Sequence, residues 1–284
     1  MYYTMEKNPF SLFDFLGYFI PGAFAIFLVC FLQNNEGILF YLKLENIKTL
    51  NNTISIPYIT FFIILSYILG HVLSFLSTLT IENFTVWMFG YPSKNLLGIP
   101  KVVKYFEKKK KNNTFNWGLT LLSFLLRFLL FIFLIPISIS SVSIGNILNL
   151  NNSVYKKELG EPYVRFIKAK IEDIFKKHDI YYRMDFINDD YNKLLIHHSY
   201  NINIPHQSKL MNYVALYGFL RVISFIFNLL SVFLILKLLF LEEINLKIEL
   251  IIMLISFFLT YITYLGYLKF YRRYSQENLM ILLL

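Results

Sequence analysis

The stretch "DFLGYFIPG", Asp14 to Gly22, sets an acid, two glycines and a proline inside an otherwise apolar run. In a water-exposed helix each interior glycine costs about 1 kcal/mol and a proline about 3 kcal/mol relative to alanine. Inside a membrane the same residues are tolerated, because neighbouring helices re-satisfy the freed backbone groups and glycine lets backbones approach. Which solvent applies is settled by composition. The 284 residues are 56% hydrophobic and 16% charged, with 30 Phe and 21 Tyr, and the mean hydropathy is +0.53. A soluble domain carries roughly 25% charge, so much of this apolar surface is expected to face lipid or other helices.

Working outward, five apolar stretches reach spanning length: 13–33, 57–80, 119–142, 213–241 and 248–268. Each approaches the ~20 residues that cross ~30 Å of hydrocarbon. The first lacks a basic leader and a small-x-small cleavage site, so it reads as a retained segment and not a signal peptide. The expected fold is an all-α integral membrane protein, a helical bundle of four to five transmembrane segments with a small cytoplasmic insertion. Residues 1–142 form the N-terminal membrane region, 143–212 a polar and partly helical insertion, and 213–284 a transmembrane hairpin with a basic tail.

The net charge of +9 fits basic residues gathered on the cytoplasmic side of a membrane better than it fits a nucleic-acid partner. Lysines collect in the second connection, Lys94, Lys101, Lys104 and Lys108, Lys109, Lys110, Lys111, and basic residues recur at Lys269, Arg272 and Arg273. Both groups belong inside. Three full crossings between them would separate them, so one stretch is expected not to cross. The weakest is 119–142, which holds Arg127 near its middle and Pro136; its apolar length argues the other way.

The polar residues inside apolar stretches are the candidate sites. Asp14 reads as an interface or capping acid, or as the partner of a buried arginine. Gly17, Pro21 and Gly22 read as a kink and a close helix contact. "SYILGHVLSFLS", 66–77, puts Ser66, Gly70, Ser74 and Ser77 on one helical face suited to tight packing or oligomerisation. His71 within it is expected to be neutral and hydrogen-bonded to a neighbouring helix. Arg127 and Arg221 are the intramembrane arginines, each needing an acid, carbonyls, phosphate or water; Asn228 adds a polar contact near Arg221. "EPYVRFIKAKIEDIFKKH", 161–178, is an amphipathic helix with the apolar stripe Val164, Ile167, Ile171, Ile174 and Phe175. It either lies on an anionic membrane through Lys168, Lys176 and Lys177 or packs on neighbouring apolar residues.

Nothing patterned points to catalysis. The chain has no Walker loop, GxGxxG, GxSxG, kinase or zinc-deaminase signature, and its histidines lack metal-ligand spacing. The lone Cys30 supplies neither a disulfide nor a Cys-based zinc site. No enzyme activity, cofactor or metal is expected.

"DFLGYFIPG", "SYILGHVLSFLS", "GYPSKNLL" and "LYGFLR" together resemble a loose family of uncharacterised bacterial multi-spanning inner-membrane proteins, similar to membrane accessory proteins of anti-phage defence systems. The resemblance implies an inner-membrane location and carries no catalytic residues. It leads to the expectation of a non-enzymatic, oligomeric membrane effector or accessory protein that perturbs or gates the bilayer, with the bilayer, further copies of the chain and a cytoplasmic protein as partners. A membrane anchor for a soluble enzyme and a small-solute or ion channel are the alternatives.

Overall fold

The computed structural model describes residues 14–33, 56–99, 105, 117–177, 195–199, 204–240 and 246–283. Among these the chain is helical throughout, without strands. A π turn at Phe15–Phe19 leads into α1, Ile20–Gln33; α2 is Ile56–Ser77, followed by a π turn at Thr78–Glu82 and by α3, Asn83–Phe89. Then come α4, Pro92–Leu96; α5, Trp117–Phe133; α6, Ile135–Val142; α7, Ile144–Ile147; and α8, Glu161–Lys177. The two long helices α9, Ile204–Phe240, and α10, Leu246–Ile281, close the chain.

Among the described residues three runs are long and apolar enough to cross a membrane: Ile59–Leu96, Gln207–Phe240 and Lys247–Ile281. The apolar run Phe15–Cys30 is shorter. The four to five segments expected are thus matched by three such helices, or four if the bent pair at 119–142, the stretch expected not to cross, is a single span. That stretch breaks at Leu134, and the halves Leu121–Phe133 and Ile135–Ile147 stand 90° apart. Pro136 has no amide proton to donate, so helical hydrogen bonding is interrupted there.

α9 and α10 form an antiparallel pair tied along its length. Lys209 pairs with Glu277 at 2.9 Å, the Ser224 hydroxyl donates to the Thr260 carbonyl at 3.0 Å, Ser231 meets Ser256 at 2.8 Å, and Lys237 pairs with Glu249. Small hydroxyl residues at such a seam let helices approach while their polar atoms find partners. At 1.5 Å per residue each helix is about 55 Å long, well beyond the ~30 Å hydrocarbon of a bilayer. The outer faces of α2, α5 and α10 carry exposed Phe61, Ile64, Phe75, Leu125, Phe128, Leu254 and Phe258, an apolar belt around the bundle.

The excess length of α10 enters a second, smaller core. Leu279 and Leu282 pack there with Leu96 and Leu97, with Leu195, and with Ile167, Ile171, Ile174 and Phe175 of α8. This cap consumes the apolar stripe of α8, which answers the choice left open for 161–178: the stripe packs inside the protein and is not free to enter a bilayer.

Interlocking contacts flank the break on both sides. Tyr105, just ahead of α5, lies against Trp87 and Phe84. Tyr155, after α7, donates its hydroxyl to the Gly90 carbonyl at 2.9 Å and touches Phe89. Between those points the break at Leu134 lies level with Asn228, whose side-chain amide donates to the Phe133 carbonyl at 3.1 Å. Contacts before and after the break thus both return to α3 and the residue that follows it.

Candidate functional site

The one buried ion pair among the described residues that joins distant spans is Arg221 of α9 with Glu82 of the second π turn. Arg221 also donates from Nε to the Ser77 hydroxyl at 3.2 Å. The π turn explains the geometry. In an α-helix residues 77 and 82 would point about 140° apart. In the π turn the Asn83 amide bonds to the Thr78 carbonyl five residues back, and five residues then complete little more than one turn. Ser77 and Glu82 consequently face the same guanidinium.

Aromatic rings wall the pair. Tyr217 lies 5.2 Å from Tyr271, Tyr267 lies 5.7 Å from Tyr271, and Tyr264 lies 6.0 Å from Tyr267 between ring centroids. The Tyr264 hydroxyl meets Thr85 at 3.1 Å, and the fully buried Tyr267 hydroxyl has no hydrogen-bond partner among the described residues. The Arg221 side chain is 9% exposed and that of Glu82 28%, so the arginine is the desolvated partner and the one that depends on the pair. Chemically, this arrangement holds two opposite charges in place across two spans.

Asp14 was read as an interface or capping acid, or as the partner of a buried arginine; the acid that pairs with Arg221 is Glu82. Asp14 and Arg221 both lie within electrostatic range of the Tyr18 hydroxyl. Glu82 was missed because it falls two residues beyond the apolar stretch 57–80, and because a helix drawn with α periodicity points it away from Ser77.

The second feature is the crossing of α1 and α2. A Cβ added at Gly22 would fall 1.8 Å from the Ser66 carbonyl oxygen, and one at Gly70 would fall 1.9 Å from the Tyr18 carbonyl oxygen. Only glycine permits that approach. Ser66 is fully buried beside it, while Ser74 sits half-buried with its carbonyl accepting from Ser77 and Thr78. Gly17 has nothing within 4 Å of where its Cβ would be, so it makes no close contact of the kind expected. The kink expected at Pro21 takes the form of a π turn ahead of it, where the Ile20 amide reaches back to the Phe15 carbonyl. His71 was expected to hydrogen-bond to a neighbouring helix. Instead its ring stacks on Tyr18 at 3.8 Å and meets Tyr67 edge-on at 4.6 Å.

At the bent segment, Arg127 is satisfied by backbone and ring: it donates to the Tyr105 carbonyl and lies 4.9 Å over Trp87. The break is satisfied by two side chains. Asn228, itself fully buried, serves the Phe133 carbonyl, and the Ser138 hydroxyl serves the Phe131 carbonyl at 3.0 Å. Irregular backbone at this depth is stable only with such partners.

Of the basic residues expected at anionic lipid or a partner, Lys108, Lys109, Lys110 and Lys111 lie outside the described residues. On α8, Lys168 is half-buried, Lys176 and Lys177 are exposed, and Lys177 pairs with Asp173 at 3.6 Å. Comparison with known protein families, curated proteins and solved structures gives no match, so the site stands on its own geometry.

Proposed function

We propose that the protein is a non-enzymatic effector of the bacterial inner membrane. Four crossings, the short Phe15–Cys30 run among them, hold a re-entrant segment, and the cap faces the cytoplasm. The observation that carries this reading is the continuity of α10: one helix supplies Ser256 and Thr260 to the apolar bundle and Leu279 to the cap core. A cytoplasmic partner that displaces the cap acts directly on the helices around the re-entrant break. The bilayer is perturbed or gated when several copies assemble; the link to antiviral defence rests on sequence resemblance alone.

Dye release from vesicles containing the purified full chain tests the effector role. Release above that of protein-free vesicles is expected. Intact vesicles at every protein density would overturn it. The topology is tested separately in a Cys30→Ala background. Cysteines at Ser153 and Arg273 should be labelled from the cytoplasmic side, and one at the exposed Phe240 from the other.

A second reading, an anchor that recruits a soluble protein, is favoured by the outer face of α8, where Phe166 is 70% exposed beside Tyr163 and Arg165. Capture of a cytoplasmic protein that is lost on Phe166→Asp, together with tight vesicles, would select it.

A further inference from the structure

We propose that Lys156, Lys157 and Arg272 form a binding site for the phosphate of an anionic phospholipid at the cap-side rim of the bundle. The three residues lie on segments in contact, because the chain leaving α7 packs against α10 at Tyr271 and Arg272. Tyr155 contacts Tyr271, and Arg272 donates from Nη2 to the Lys157 carbonyl at 2.8 Å. That bond uses one of five donors. The Arg272 Nε is buried and meets no acceptor among the described residues.

No carboxylate among the described residues pairs with any of the three. The nearby acids are engaged elsewhere: Glu277 with Lys209, and Glu82 with Arg221. Glu158, next in sequence, turns toward Gly98, its carboxylate oxygen 3.1 Å from where a Cβ would stand there. The Lys156 ammonium lies 4.9 Å over the Phe89 ring, and the burial of its stem pushes its pKa down. A neighbouring anion reverses that effect.

The depth matches a headgroup. Tyr155 is level with Gly90, where the apolar run of α2 and α3 ends, and Arg272 follows the apolar part of α10. Rings of Phe89, Tyr91 and Tyr271 surround this level, the usual setting of an interfacial belt. A guanidinium held against the backbone of Lys157, with the exposed Lys156 and Lys157 side chains rooted on the same segment, suits a phosphate diester. The site differs from the lysines of α8, which sit on the outer face of the cap.

This inference rests on the membrane reading above but not on leakage: a protein that never opens the bilayer would still bind the lipid. The test uses the purified full chain in neutral detergent, with phosphatidylglycerol or phosphatidylcholine titrated in and melting temperature and retained lipid both measured. Phosphatidylglycerol should stabilise the wild type more than phosphatidylcholine does. Each cation removed should weaken its binding about fivefold. Lys156→Gln and Lys157→Gln carry the test should Arg272→Gln fail to fold, since both lysines are exposed. Lys176→Gln with Lys177→Gln should leave the preference unchanged. Equal preference in wild type and Lys156→Gln/Lys157→Gln would overturn the site, as would inorganic phosphate reproducing the whole effect.

Discussion

Arg221 and Glu82 lie 139 positions apart in sequence and meet because a π turn rotates the acid toward the guanidinium. The pair joins the second span to the fourth apolar stretch at the level where both approach the cap. Its contribution is positional. A buried ion pair adds little net stability over apolar packing, but removing one partner strands the other.

Arg221→Ala should therefore destabilise the detergent-solubilised protein by about 3–5 kcal/mol, and Glu82→Ala comparably. The double variant Arg221→Met/Glu82→Leu should recover most of the loss. Thermal melting of the four proteins forms the cycle; additive losses in the double variant would show that the two residues act separately.

Gly22→Ala should fail where Gly17→Ala succeeds. The first places a methyl group on the Ser66 carbonyl and forces α1 away from α2, at a cost of about 1–3 kcal/mol or more. The second meets open space and should be neutral or slightly stabilising. Melting temperature reads both, and equal behaviour would mean the helices do not cross at Gly22.

Asn228→Ala leaves the Phe133 carbonyl without its donor at a buried helix break, which should cost about 1–3 kcal/mol. The effect should be local. Hydrogen exchange is expected to rise in α5 and α6 before it rises in α9 and α10, and uniform exchange across the chain would contradict the assigned role.

Alkaline pH should loosen the cap-side end of the main core through Tyr155. Complete burial raises its phenol well above the ordinary value of 10.0, and the neutral hydroxyl donates to Gly90. A raised folded value means that stability is full below about pH 10, the unfolded value, and is lost as pH climbs toward the folded value. Melting temperature should fall steeply above pH 10, and less steeply in Tyr155→Phe. Identical slopes would remove Tyr155 from the alkaline response.

Residue chemistry read in sequence order determined the helical class, the presence of helices apolar enough to cross a membrane, and the crowding at Gly22 and Gly70. These follow from hydropathy and from side-chain size, which are properties of local sequence. The weakness of 119–142 was equally visible, because Arg127 and Pro136 oppose a straight buried helix wherever they stand. Two matters belonged to tertiary structure alone. The acid opposite Arg221 depended on a π turn, a one-residue slip in helical phase that α periodicity cannot register, and this brought in Glu82, which lay outside the candidate residues of the sequence. The fate of the α8 stripe depended on which apolar surface lay nearest. An amphipathic helix is equally satisfied by lipid or by protein, and the decision fell to Leu96, Leu97, Leu279 and Leu282, brought beside it by the length of α10 beyond the apolar belt.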